Sequence, residues 1–167
     1  KNKIQLGLIV VLSLLMAACA TKPVNYDYTA YKASKPKSIL VLPPVNQSPD
    51  VNAGISMLSL ATRPLAEAGY YVMPVALVSE TFKRNGVTVA DDAQNIPFSK
   101  LHDIFGADAA LYVSIKKYGT SYRIIDSVVE VSADAKLVDL RSGTTLWQGS
   151  AQASSAENQN NSGGGLI

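Results

Sequence analysis

Val129-Glu130-Val131-Ser132-Ala133-Asp134-Ala135-Lys136-Leu137 decides the fold of this chain. Apolar and polar residues alternate here without a break, which is the period of a strand whose side chains point to opposite faces. One face is apolar and the other carries Glu130, Asp134 and Lys136. The strand is therefore buried on one side only, as in an antiparallel sheet. At Val138 the apolar residues change parity and Leu140 follows, so a bulge or twist is expected near residues 137–138. Arg141-Ser142-Gly143 reads as a hairpin turn, and Thr144 to Ala151, with Trp147, as the returning strand. Upstream, Leu111, Val113 and Ile115 alternate with Tyr112, Ser114 and Lys116 in the same way.

The first half follows a different period. Ile39-Leu40-Val41-Leu42 is a continuous apolar run closed by Pro43-Pro44, as in a central strand buried on both faces. Val51, Ile55, Leu58, Thr62 and Leu65 recur at helical spacing up to Gly69, with a kink or restart expected at Pro64. Tyr70 to Met73 reads as a short strand. Pro74 opens a helix through Val75, Val78 and Phe82 to Gly86, and Asp91, Asp92 and Asn95 fall in a polar loop. Pro97 opens a third helix with Phe98, Leu101, Ile104 and Phe105 on its stripe. The reading is a single α/β (α+β) domain: a mixed sheet with an antiparallel C-terminal hairpin half and about three helices packed on it.

Around this domain the chain divides into residues 1–18, a lipoprotein signal peptide; 19–37, a membrane-proximal linker; 38–153, the domain; and 154–167, a flexible Ser/Asn/Gly-rich tail. The leading segment has Lys1 and Lys3, an apolar core from Leu6 to Met16, and Ala17-Ala18 before the single cysteine, Cys19. That core is shorter than the roughly 20 residues a membrane-spanning helix needs. The linker holds Pro23, Pro36, three tyrosines and scattered lysines with no apolar period, and is expected to be extended. The start without methionine and the stop after Leu166-Ile167 read as marks of a shortened chain.

Charge narrows the partners. The 15 Lys and Arg against 13 Asp and Glu give +2, but Lys1 and Lys3 account for the excess, so the chain from Cys19 onward is neutral. Lys22, Lys32, Lys35 and Lys37 make the linker basic, which suits nearby phosphate headgroups. The domain itself is slightly acidic, which argues against nucleic acid as a partner. One cysteine leaves no disulfide to form.

The catalytic inventory is thin. His102 is the one histidine, and Asp103 beside it points about 100° away on a helix, too far round to orient the ring. No Gly-x-Ser-x-Gly elbow accompanies them. Asp126, Glu130, Asp134 and Asp139 are the acids available for a glycosidase-like pair, but Glu130 and Asp134 share a solvent face. No catalytic, cofactor-binding or metal-binding residue is assigned, and no cofactor is expected. Lys116-Lys117-Tyr118-Gly119-Thr120-Ser121-Tyr122-Arg123 reads as a loop with aromatics amid positive charge. Lys116, Lys117, Tyr118, Tyr122 and Arg123 are its candidate protein-partner residues.

Leu15-Met16-Ala17-Ala18-Cys19 resembles the lipobox of bacterial lipoproteins, with Met16 where Leu is usual. The resemblance implies a lipid on the Cys19 thiol, cleavage before it, and an anchor of two or three acyl chains. Ala20, rather than Asp, implies the outer membrane facing the periplasm. With Ile39–Pro44, Phe105-Gly106-Ala107-Asp108-Ala109-Ala110-Leu111-Tyr112-Val113 and the Leu137–Trp147 hairpin, the whole chain is similar to a family of bacterial lipoproteins of unknown function. One member of that family is a surface-antigen candidate. The hairpin also resembles TolB N-terminal-like and CsgG-like domains. The resemblance implies helices on one face of the sheet, a homodimer, and protein partners in an envelope system such as an ABC-type transporter or a CsgG-like secretion assembly. The implied role is non-enzymatic; a cell-wall enzyme or enzyme activator, named a peptidoglycan peptidase in some family descriptions, is the alternative.

Overall fold

The computed structural model describes residues 26–122 and 127–155, with the side chains of Ser121, Tyr122 and Ser127 left aside. In chain order the elements are α1 (Thr29–Ser34), β1 (Ser38–Val41), β2 (Val45–Asn46), α2 (Ala53–Glu67), β3 (Tyr71–Val72), α3 (Val75–Arg84), α4 (Ala90–Gln94), α5 (Phe98–Phe105), β4 (Ala109–Tyr122), β5 (Ser127–Asp139) and β6 (Thr145–Ser154). They form one mixed sheet in the order β3-β1-β4-β5-β6, with β2 paired to β4 beyond β1. β1 runs parallel to β3 and β4, whereas β4, β5 and β6 form an antiparallel meander. The expected division between a βα half and a hairpin half is therefore present.

β1 and β2 are one strand broken by Pro43-Pro44. Ile39, Leu40 and Val41 pair with Ala109, Ala110 and Leu111, and Val45 and Asn46 resume opposite Ser114 and Ile115. The Leu42 amide donates to the Leu111 carbonyl at 3.1 Å. The next donor in that ladder would be Pro44, which has no N–H. The side-chain amide of Gln94 takes its place, donating to the carbonyls of Val113 and Pro43, each at 2.9 Å. Residues 90–94, expected in a polar loop, thus form the short α4, with Ala93 buried beneath it.

Helices cover both faces of the parallel half, not one. Leu40, Leu42, Ala110, Tyr112, Val138 and Leu140 pack with Val78, Phe82, Ala93 and Leu101 of α3, α4 and α5. Ile39, Val41, Ala109, Leu111 and Val113 pack on the other face with Ala53, Met57, Leu58, Ala61 and Leu65 of α2 and with α1. A strand covered on both sides needs apolar residues at every position, which is why residues 39–42 show no alternation. The α2 stripe differs from the expected one. Val51 and Ile55 are 87% and 71% exposed, and the buried set begins at Ala53 and Met57 instead. α2 also runs through Pro64 to Glu67 without a restart.

The bulge lies where the parity changes. Leu137 faces Trp147 and Val138 faces Thr145, leaving Leu146 as the extra residue on β6. Leu146 is 1% exposed and shares its apolar cluster with Trp147, so the bulge turns two successive side chains to one face. The apolar parity of β5 changes there because α3–α5 begin to cover its second face. A second slip leaves Lys116 unpaired between Ile115 and Lys117 on β4.

Within the stretch expected to be an extended linker, the described residues from Tyr26 onward are structured. α1 docks on the sheet, with Ala30 and Tyr31 packed against the α2-side core. The Gln148 amide on β6 donates to the Tyr26 hydroxyl at 2.9 Å.

Candidate functional site

The motif acids are taken up by the fold. The Leu140 amide donates to the Asp108 carbonyl at 2.9 Å, joining the Phe105–Val113 motif to the Leu137–Trp147 hairpin. The Asp108 carboxylate accepts the Lys37 and Ser38 amides at 2.9 and 3.1 Å and the Ser38 hydroxyl at 3.0 Å, and it pairs with the Arg141 guanidinium. Asp139 accepts the Ser34 hydroxyl at 2.5 Å, the Arg141 and Ser142 amides at 2.9 Å each, and the Ser142 hydroxyl at 3.1 Å. Burial pushes both carboxyls up, but these donors, and for Asp108 the Arg141 charge, outweigh it and hold both below the ordinary Asp value. Two acids so bonded pin α1 and β1 to the hairpin.

His102 is equally committed. Its Nδ1 lies 2.8 Å from the Ala107 carbonyl, and the Gly106 amide donates back to the His102 carbonyl at 2.7 Å, closing the α5 C-terminus around left-handed Gly106. Asp126 lies outside the described residues. Among the described residues no three His, Cys, Asp or Glu side chains gather into a metal-binding group.

The stretch expected to be a partner-binding loop is strand. Lys116, Lys117 and Tyr118 lie within β4, where Lys117 and Tyr118 pair with Ser132 and Val131 of β5 and Lys116 sits at the register slip. Tyr122's side chain and Arg123 lie outside the described residues. The lysines face acids across the ladder: Lys117 is 3.0 Å from Glu130, and Lys116 is 3.8 Å from Asp134 and 3.1 Å from Gln47 Oε1. Tyr118 is half-buried against the α2-side core. Only Lys116 and Lys117, among the five residues singled out, are shown exposed, and their charge is locally balanced.

The surface that sequence reasoning missed is a groove of about 770 Å³ on the α2 side of the meander. α2 covers the sheet as far as β4, so Val131, Ala133 and Ala135 of β5 and Gly149 and Ala151 of β6 are left as a floor of small residues. Tyr28 and Tyr31 of the α1 segment, Met57 and Leu65 of α2, Tyr70 and Trp147 line its sides. The Tyr31 and Tyr70 hydroxyls bond to each other across one end. None of its lining residues carries a charge. The opposite face of the same strands is polar: Asp134 takes the Ser150 hydroxyl at 2.6 Å, and Lys136 Nζ sits 4.9 Å from the Tyr112 ring centre. The alternation at residues 129–137 foretold which face is apolar. The signal for a groove was the smallness of its alanines, which give a covering helix nothing large to pack against.

Cys19 lies outside the described residues, and no helix among those described is long and apolar enough to cross a membrane. A protein of Neisseria meningitidis serogroup B called "Putative lipoprotein NMB1124/NMB1162" is 54% identical over 159 residues, covering 95% of this chain and 73% of that protein. The crystal structure of lipoprotein GNA1162 from Neisseria meningitidis matches at 57% identity and a TM-score of 0.68, over 71% of this chain and 83% of the other. Two remoter likenesses concern the fold alone. E. coli LpoB matches at 14% identity and a TM-score of 0.53, over 80% of this chain and 73% of that one. The PelC dodecamer from Paraburkholderia phytofirmans matches at 15% and 0.51, over 71% of each chain. The family described as "Putative lipoprotein GNA1162-like" matches residues 26–167, and this chain belongs to that family.

Proposed function

We propose that this chain is a lipid-anchored, non-enzymatic component of an envelope transport or secretion assembly, held by Cys19 to the outer membrane and facing the periplasm. The carrying observation is the run Leu15-Met16-Ala17-Ala18-Cys19 placed just seven residues before Tyr26, where the docked structure begins. Seven residues reach at most about 25 Å at ~3.6 Å each, so the domain works close against the bilayer. Membership of a lipoprotein family supports the anchor. The commitment of Asp108, Asp139 and His102 to structural hydrogen bonds supports a binding role over a catalytic one. Lys116, Lys117, Tyr118, Tyr122 and Arg123 form the proposed partner surface, with a homodimer as the working unit. An ABC-type transporter or a CsgG-like assembly is the proposed setting.

Capture of the lipid-bearing protein from gently solubilised membranes tests the role. Co-recovery of a transporter or secretion subunit is the expected result, weakened by Lys116→Ala with Lys117→Ala; recovery of the protein alone counts against it. Cys19→Ala is expected to abolish incorporation of radiolabelled palmitate. Release of muropeptides from purified peptidoglycan would favour the alternative, a cell-wall enzyme.

A further inference from the structure

The groove on the α2 side of β5 and β6 is concave and lined by no charged residue. Its length follows β5 from Leu137 to Val131, six residues of strand or about 20 Å at ~3.3 Å per residue. We propose that it binds the single acyl chain of a free fatty acid, laid along the alanine floor with its polar head at the Tyr31 and Tyr70 hydroxyls.

Width is the first argument. A volume of about 770 Å³ spread over that length leaves a channel about 7 Å across. An α-helix with its side chains is ~10–12 Å thick, and a strand stacked face to face on a sheet needs ~10 Å. A polymethylene chain, one CH₂ group thick, is the slimmer occupant and fits.

Polarity is the second. A peptide laid over Val131, Ala133, Ala135 and Ala151 would turn N–H and C=O groups toward alkyl side chains, and burying such groups unpaired is costly. An acyl chain brings no polar group until its head. For the head, two hydroxyls bonded to each other use one of their two protons, so the Tyr31–Tyr70 pair keeps the second to donate to a ligand oxygen. A site apolar along its length with a few polar groups at one point is the usual form of a small-molecule pocket.

Entry is the third. Tyr28 and Tyr31 bring the α1 segment to the groove as one wall, and α1 is a six-residue helix with no fully buried residue. Its ties are the polar contacts of Tyr26, Tyr31 and Ser34. A wall so lightly held is the one to move when a chain enters. The inference goes beyond the anchor at Cys19 and does not depend on it.

The full chain with Cys19→Ala is titrated with a fatty acid brominated at mid-chain, and quenching of Trp147, the single tryptophan, is followed. The expected result is saturable quenching at one equivalent per chain, reversed by palmitic acid. Ala133→Phe with Ala151→Phe, which fills the floor, is expected to weaken binding at least tenfold, whereas Lys136→Ala on the opposite face leaves it unchanged. Tyr31→Phe with Tyr70→Phe is expected to weaken binding of the acid severalfold but not that of a brominated alkane. Absence of saturable quenching, or equal quenching in the floor-filled variant, overturns the inference. One equivalent per two chains overturns it in favour of a groove closed by a second copy. Binding to the Cys19→Ala chain but not to the lipid-bearing protein overturns it in favour of the protein's own acyl anchor.

Discussion

Asp139 gathers four donors from two distant parts of the chain: Ser34 on α1, and Arg141 and Ser142 in the hairpin turn. Removing the carboxylate strands these donors in a part-buried place, so Asp139→Ala is expected to cost about 2–3 kcal/mol. Denaturant unfolding measures this directly. Asp108 and Asp139 also set the acid limb of stability. Their folded values are depressed, so their contribution is complete above the unfolded Asp value of about 3.9 and is lost as pH falls through the folded values. Stability is expected to hold down to about pH 5 and then to drop. Asp108→Asn with Asp139→Asn flattens that drop; a limb of unchanged steepness in the double variant would refute the assignment. Gln94 offers a cleaner case, since it replaces a donor that Pro44 lacks. Gln94→Ala is expected to cost about 1–2 kcal/mol, and Gln94→Glu at least as much, because a carboxylate cannot donate to the Val113 and Pro43 carbonyls.

At the scale of elements, what the sequence made legible depended on how many faces were buried. β5 alternates because its outer part has one apolar and one polar face, and its parity change near 137–138 marked both the bulge and the start of the second helical cover. β1 was legible for the opposite reason, being apolar and buried at every position after Ser38. α2 was misread by two residues because Ala53 and Ala61, small and unremarkable in sequence, do the packing while Val51 and Ile55 stand in solvent. α1 was missed because its six residues carry no apolar period, and the groups that hold it, Tyr70 and Asp139, lie far along the chain. The basic stretch misled in another way: Lys117 belongs to a cross-strand pair with Glu130, invisible until strand register is known. Such exposed pairs are worth about 0–1 kcal/mol, so Lys117→Ala is expected to leave the unfolding midpoint almost unchanged. A large loss of stability would mean that Lys117 is structural and unsuited to a partner surface.

For the whole molecule, the two halves of the sheet differ in how they are held. The parallel half lies between α1–α2 and α3–α5, with Ile39, Leu40, Leu42 and Leu101 fully buried. Among the described residues no helix covers either face of the outer meander beyond the α1 edge, and Ala151 and Ala153 stand exposed on its outermost strand. Local opening costs least where few apolar contacts must be broken. Backbone amides of residues 39–42, 109–113 and 137–140 are therefore expected to exchange hydrogen only through global unfolding. Those of residues 149–153 should exchange through local opening, orders of magnitude faster. Hydrogen exchange followed by mass spectrometry on the peptides of β1 and β6 makes the comparison. Uniform protection across the sheet would show that the meander is clamped as firmly as the centre. A difference that shrinks in the lipid-bearing protein or on adding a captured partner would identify the meander as the part whose order depends on what sits against it. On the proposed anchoring at Cys19, the faster-exchanging meander would be the half left for association, and the parallel half its fixed mount.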